Sequence, residues 1–182
     1  DLYFTSPDTG FVIGNANASD NTVILYTTDG GNSWEAKYLG TIPSQICWKI
    51  DFPSKNVGYV SIQKLIAQGS NYFLKTIDGG QNWELIKFPV AAYTVEGIGF
   101  LNDSTGWIGG DYNLKSYKTI NGGQTWSIDN SLGSTINPYG AAKINRFRRF
   151  GDSLLYAGGN TVYKFLTKKT ILPPPTFIAV NS

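Results

Sequence analysis

The sequence contains no histidine and no methionine, and it has a single cysteine among 182 residues. The absence of histidine removes the side chain that most often acts as a general base or a metal ligand near neutral pH. Cys47 alone cannot form a disulfide within the chain or a cysteine-based zinc site. The composition therefore disfavours the commonest catalytic and metal chemistries, and we predict no cofactor.

Charge is also scarce, because Asp, Glu, Lys and Arg together make up 15% of the chain and the net charge is only +2. Such a balance gives no electrostatic argument for a nucleic-acid partner. No apolar run approaches the roughly 20 residues that a membrane-spanning helix needs, so we expect no direct membrane insertion. The one basic cluster, Arg146, Arg148 and Arg149, is typical of the solvated face of a strand.

What the sequence does contain is a repeat. One motif, Thr-x-Asp/Asn-Gly-Gly-x-x-Trp, occurs at residues 27–34, 76–83 and 119–126. A second motif, Phe-x5-Gly-aromatic, precedes each copy of the first. Its copies are residues 4–11, 52–59 and 100–107, and a degenerate fourth copy begins at Phe150. Successive phenylalanines are 48 residues apart (52 − 4 and 100 − 52), so the repeat is internal and regular.

A period of 40 to 50 residues with short strands and glycine turns predicts one four-stranded β-propeller blade per repeat. Paired glycines permit the positive φ angles of a tight hairpin, and no segment has a sustained helical period. We therefore predict an all-β chain of about four antiparallel blades with little or no helix. The predicted blades cover approximately residues 1–40, 41–90, 91–131 and 132–166.

The first motif resembles the Asp-box, or bacterial neuraminidase repeat. Together with the second motif it is most similar to the propellers of photosystem II assembly factors and to the sortilin-type repeats of secreted bacterial proteins. The resemblance covers roughly residues 1–166 and implies that the boxes are structural, on the face opposite the usual active site. An Asp at a tight turn accepts hydrogen bonds from downstream N–H groups, and the Trp buries its ring. The predicted structural positions are Thr27, Asp29, Gly31, Trp34, Thr76, Asp78, Gly80, Trp83, Thr119, Asn121, Gly123 and Trp126.

The end of the sequence differs from the repeats. The fourth repeat offers three strands, at about 143–150, 154–158 and 161–166, and has no Asp-box. Residues 167–182 form a proline-rich linker that resembles the start of a fibronectin type III module. We expect that upstream blades of the same propeller are missing from this chain and that the intact ring has six to eight.

Binding residues of a propeller are expected on its loops or along its central channel. On this basis Trp48 and Arg146 are predicted to line the channel, and aromatic loop residues could stack on sugar rings. The alternative is that these side chains only fill the interfaces between blades. The candidates are Trp48, Tyr93, Glu96, Asp111, Tyr112, Tyr139 and Arg146.

Enzyme function has weaker support. A sialidase would need three arginines from different blades, whereas the three here share one strand, where alternation points them to opposite faces. A glycosidase needs two facing carboxylates, and no spacing marks a pair among Asp20, Asp51, Glu96 and Asp111. We therefore predict a non-enzymatic extracellular or cell-surface propeller, from a secreted bacterial protein, that binds protein or glycan. The alternatives are a fragment of a glycoside hydrolase and a structural subunit of an extracellular assembly.

Overall fold

The computed structural model describes residues 1–16, 21–66, 69–89, 95–110, 116–129, 144–151, 153–159 and 162–166. Within these ranges the chain forms fifteen strands and no helix, so no helix there could cross a membrane. The strands form four separate antiparallel sheets, three with four strands and one with three. The predicted all-β fold of propeller blades is confirmed.

In each sheet the strands follow one another in chain order, as in a meander. The first sheet contains β1 (Leu2–Phe4), β2 (Gly10–Asn15), β3 (Thr22–Thr27) and β4 (Glu35–Leu39). The second contains β5 (Gln45–Asp51), β6 (Gly58–Lys64), β7 (Asn71–Thr76) and β8 (Glu84–Phe88). The third contains β9 (Val95–Phe100), β10 (Gly106–Gly110), β11 (Tyr117–Thr119) and β12 (Ser127–Ile128). The fourth contains β13 (Ile144–Phe150), β14 (Leu154–Gly159) and β15 (Val162–Leu166).

The second sequence motif has a direct steric explanation in the first hairpin of the first three blades. Phe4 pairs with Gly10 across the hairpin, and Phe100 pairs with Gly106 in the same way. A Cβ on Gly106 would lie 2.4 Å from the Phe100 ring. The ring therefore occupies the space above its cross-strand partner, and only glycine leaves that space free.

The apolar core lies between neighbouring blades. One cluster joins the first two blades through residues such as Phe11 and Phe52, whose rings stack with centroids 4.9 Å apart. A second joins the next two through Tyr59 and Phe100, which stack almost parallel with centroids 3.6 Å apart. A third cluster, which includes Trp107, joins the third and fourth blades. Because each blade buries its face against the next, the repeats are stable as an array.

A polar contact supplements this packing between the second and third blades. The Tyr59 hydroxyl donates to the carbonyl of Asp103 at 3.0 Å and to that of Gly122 at 3.3 Å. The Lys75 ammonium donates to the same Gly122 carbonyl at 2.8 Å. Both donors lie on the second blade and both acceptors on the third, so these bonds hold the third Asp-box turn against the preceding blade.

The proline-rich segment 167–182 lies outside the described residues. Its resemblance to a fibronectin type III module, and the missing upstream blades, therefore remain predictions.

Candidate functional site

The Asp-box turns are built in the same way in three blades. In the first, the Asp29 carboxylate accepts from the Ser33 backbone N–H at 2.9 Å and from the Thr27 hydroxyl at 2.7 Å. The Thr27 oxygen in turn accepts from the backbone N–H of Gly31 at 3.0 Å. Gly30 and Gly31 have φ angles of 72° and 92°, which non-glycine residues rarely adopt. The Asp29 and Thr27 side chains are thus both used within the turn.

The third box carries an amide in place of the carboxylate and keeps the same geometry. Asn121 Oδ1 accepts from the Thr125 N–H at 2.9 Å, and its Nδ2 donates to the Thr125 hydroxyl at 2.8 Å. In the first box, hydrogen bonds from the Ser33 side chain and backbone lower the pKa of Asp29 to about 2. Asp78 has its pKa lowered to about 2 in the same way, by Asn82. A turn that works equally with an amide has no need of acid–base chemistry.

Each box tryptophan fixes its ring by a hydrogen bond from Nε1 to the carbonyl of the second glycine, at 3.0 to 3.1 Å. The ring of Trp83 packs edge-on against Phe11 and Phe52, across the junction of the first two blades. The ring of Trp126 does the same against Phe88 and Phe100. These contacts place Trp83 and Trp126 in the interfaces between blades.

The site with ligand-binding chemistry lies at the first strands of the four blades. They surround a cavity of about 390 Å³, which we call the channel. Its charged lining residues are Asp1, Lys49, Asp51, Arg146, Arg148 and Arg149. The channel thus brings four basic side chains together with two acidic ones, whereas the chain as a whole is close to neutral.

Bulges in these first strands set the direction of several side chains. The pairing of β5 with β6 shifts between Cys47 and Lys49, which leaves Trp48 as the extra residue. Comparable shifts occur in β9 near Glu96 and in β13 between Ile144 and Arg146. Because a bulge changes which residues face a given side of a sheet, Lys49 lines the channel and Trp48 does not.

The bulges of the second and third blades are joined by one hydroxyl. Ser61 Oγ accepts from the Lys49 backbone N–H at 3.1 Å and donates to the Glu96 carbonyl at 2.7 Å. The Lys49 ammonium lies 4.8 Å from the centre of the Trp48 ring. Burial lowers the pKa of Lys49, and the positive charge of Arg146 lowers it further. Two cations from different blades are therefore close enough to repel each other in the channel.

Of the three arginines, Arg149 forms a hydrogen bond to another blade of the protein. Its Nη2 donates to the Phe52 carbonyl at 2.7 Å, which also accepts from the Tyr3 hydroxyl at 3.3 Å. Side chains of the first and fourth blades therefore meet at one carbonyl of the second. The alternation expected along β13 is present, because Arg146 and Arg148 are exposed whereas Arg149 is half-buried and turns its guanidinium to the Phe52 carbonyl.

Arg146 and Arg148 remain exposed in the channel. Among the described residues, the only ion pair within 4 Å is Lys37–Glu35, on the outer strand β4, so no described carboxylate neutralises either arginine at that distance. The channel therefore offers two accessible guanidinium groups that can each bind a carboxylate with paired hydrogen bonds.

Asp51 is the acidic residue deepest in this group. Its Oδ2 accepts from the Phe100 backbone N–H at 2.7 Å, which ties the second blade to the third. Burial raises the pKa of Asp51 to about 6, although the Phe100 hydrogen bond and the charges of Arg149 and Arg148 act in the opposite direction. Its proton is thus exchanged near neutral pH, unlike that of an ordinary aspartate.

Of the predicted binding residues, the structure places Arg146 in the channel lining and Trp48 and Glu96 at the adjacent bulges. Tyr93, Asp111, Tyr112 and Tyr139 lie outside the described residues, as does Asp20. Sequence reasoning did not select Lys49, Arg148 or Arg149 as binding residues. The signal that could have found them is their position just before the repeated phenylalanine, at the end of each first strand.

Comparison with known proteins identifies the family. The family model of photosynthesis system II assembly factor YCF48 matches residues 1–91, half of the chain. The chain belongs to the YCF48 family. A curated relative, the photosystem II assembly lipoprotein Ycf48 of Synechococcus sp. (strain CC9902), is 27% identical over 140 residues. That match includes 74% of this chain but only 38% of the relative, so the chain spans well under half of the relative's length.

Solved structures show the same fold. A YCF48 protein bound to a D1 peptide is 20% identical, with a TM-score of 0.61 over 93% of this chain and 50% of that one. The GH74 enzyme of Niastella koreensis is also 20% identical, with a TM-score of 0.59 over 91% of this chain and 28% of that one. At such identities both comparisons establish the propeller fold alone.

The family membership corrects two predictions. The prediction of an extracellular or cell-surface binding propeller is wrong, because the matching family and the curated relative are photosystem II assembly factors. The extracellular location is wrong for the same reason, and the relative is a lipoprotein. The glycoside hydrolase alternative has only the shared fold in its favour, and the extracellular-assembly alternative also does not fit the family.

Proposed function

We propose that this chain is part of an assembly-factor propeller that binds an acidic segment of a client protein in its channel. The observation that carries the proposal is the pair of exposed guanidinium groups, Arg146 and Arg148, with Lys49 beside them. Family membership supports a protein as the partner, because one solved YCF48 protein has a D1 peptide bound.

The dimensions of the channel agree with a peptide ligand. A cavity of about 390 Å³ is in the range of small-molecule and side-chain sites, about 300 to 1,000 Å³. It can hold a few side chains of an extended segment but not a folded domain. In the Asp-box turns, in contrast, the Thr and Asp or Asn side chains bond within the turn, and none of these side chains is a cation.

The test is the binding of a fluorescently labelled D1 peptide, measured by anisotropy. Replacement of both arginines by glutamine (Arg146→Gln with Arg148→Gln) removes two charge-assisted contacts, each worth about 1.5 to 3 kcal/mol. We expect the dissociation constant to rise by at least about 100-fold. A D1 peptide whose carboxyl groups are all replaced by amides should bind wild-type protein as weakly as the variant binds the unmodified peptide.

The matched control is Lys87→Gln with Lys118→Gln, which removes the same charge from the outermost strand of one blade and the third strand of another. This control should bind the acidic peptide as wild type does. Equal losses in the control and in the arginine variant would show that only the net charge matters and would refute the channel as the binding site.

A further inference from the structure

The proposed binding uses the cations of the channel and leaves Asp51 without a role. Asp51 is held in place, since its Oδ2 accepts from the Phe100 N–H at the junction of the second and third blades. It lines the same cavity as Arg146 and Arg148. A peptide carboxylate that enters this cavity therefore approaches the two arginines and Asp51 together.

Titratable and charged groups face this position from every strand packed around it. Half of the side chains are cationic, and burial lowers the pKa values of the Asp1 amino group and of Lys49. These groups are Asp1 and Tyr3 on the first blade, Lys49 and Tyr59 on the second, Glu96 on the third, and Arg146, Arg148 and Arg149 on the fourth. Asp51 is the member of this group whose carboxyl can be neutralised under mild conditions.

We infer that an acidic segment binds in the channel with uptake of one proton by Asp51, an inference that rests on the proposed function. The proton comes from solvent and adds to a carboxylate oxygen, so no other bond is made or broken. An ionised Asp51 would repel the incoming carboxylate, whereas a protonated one can donate a short O–H···O⁻ hydrogen bond to it. Asp51 thereby makes the channel selective for carboxylates at lower pH.

The raised pKa of Asp51, about 6, supports the uptake of a proton by this residue. At neutral pH about one molecule in ten carries the proton before binding. The cost of protonation is therefore small, and it grows as the pH rises. Linkage then requires that affinity for the acidic segment fall with increasing pH above about 6.

The experiment measures binding of the labelled D1 peptide to wild-type protein at pH 5.5 and pH 7.5 at constant ionic strength. Peptide carboxyl groups have pKa values near 4 and stay ionised at both pH values. If the peptide binds only the form in which Asp51 is protonated, affinity should be up to about 25-fold higher at pH 5.5 than at pH 7.5. This factor is the ratio of the protonated fractions of Asp51 at the two pH values for a pKa of about 6. Calorimetry at pH 7 in two buffers of different ionisation enthalpy should report uptake of about one proton per peptide.

The Asp51→Asn variant keeps an oxygen acceptor for the Phe100 N–H and adds a permanent N–H donor. It should bind the peptide equally at both pH values, as tightly as wild type at pH 5.5. Glu84→Gln, an equal charge change on the outermost strand β8, should retain the wild-type pH response. Wild-type binding without a pH response, or a persistent response in Asp51→Asn, would overturn the role of Asp51 and leave the proposed function standing. Absence of binding at both pH values would overturn this inference together with the proposed function.

Discussion

The contact of phenylalanine with glycine in the first three blades predicts a graded response to substitution of the glycine by alanine. A Cβ on Gly106 would lie 2.4 Å from the Phe100 ring, closer than any real contact of this kind. Phe100 is fully buried, stacked on Tyr59 and in edge contact with Trp126, so it has no space into which to move. Overpacking of this kind costs about 1 to 3 kcal/mol.

The same substitution should cost less where the ring is free. Gly10 is in similar conflict with Phe4, at 2.7 Å, but Phe4 is 41% exposed and can rotate toward solvent. Gly14, in the same strand as Gly10, has no atom within 4 Å of the position that an added methyl group would occupy. Gly14→Ala should therefore be neutral, or stabilising by up to about 1 kcal/mol, because alanine restricts the unfolded chain.

Chemical denaturation and thermal unfolding of the three alanine variants test this order. For a chain of this length 1 kcal/mol corresponds to about 2 to 4 °C in Tm, so Gly106→Ala should lower Tm by about 2 to 12 °C. Gly10→Ala should fall between Gly106→Ala and Gly14→Ala. Equal losses at Gly10 and Gly106, or a large loss at Gly14, would refute the steric explanation of the motif.

Three further predictions concern single groups. The folded-state pKa of Asp51, about 6, exceeds its unfolded value of about 3.8, so ionisation destabilises the fold by about 2 kcal/mol as pH rises from 4 to 7. Urea denaturation of Asp51→Asn should lack this decline. The pKa values of Asp29 and Asp78 are lowered to about 2. The stability that these carboxylates provide is therefore complete above pH 4 and is lost as the pH falls through 2. The variant with both residues replaced by Asn should show a shallower acid transition by circular dichroism. Tyr59→Phe removes a donor to the Gly122 carbonyl and should lower the free energy of unfolding by about 1 kcal/mol; an unchanged denaturation midpoint would show that the bond contributes nothing.

The sequence predicted the blades because their determinants are local. The box of Thr27, Asp29 and Trp34 completes its hydrogen bonds within eight residues, so its spacing alone reveals the turn. The pairing of Phe100 with Gly106 is equally short in range, joining two residues of one hairpin. Interactions of this kind leave a regular pattern along the chain, which is why repeat, fold class and absence of helix could be derived.

The channel was less accessible to sequence reasoning because it depends on bulges and on contacts between distant residues. The extra residue at Trp48 does not interrupt the pattern of the strand, yet it brings Lys49 to the channel. Arg149 reaches the Phe52 carbonyl, 97 residues away in the chain. Alternation along β13 separates Arg149 from Arg146 and Arg148 as predicted, but it did not reveal that the exposed pair lines a cavity, so the basic cluster was interpreted as a solvated strand face.

The function was misjudged for a different reason. Propeller blades of this kind occur in proteins with many activities, so the fold does not select among them. The match of residues 1–91 to one family decided the question. The repeated motifs stabilise the blades, whereas Arg146, Arg148 and Asp51 differ from the residues at matching positions in the other blades and share only their place before the repeated phenylalanine.

The most direct test of the central claim is an experimental structure of this protein with the D1 peptide bound. The account predicts a peptide carboxylate in the channel, within 4 Å of the Arg146 or Arg148 guanidinium and beside the carboxyl group of Asp51. A peptide bound across the Asp-box turns of Asp29, Asp78 and Asn121, with the channel empty, would contradict it.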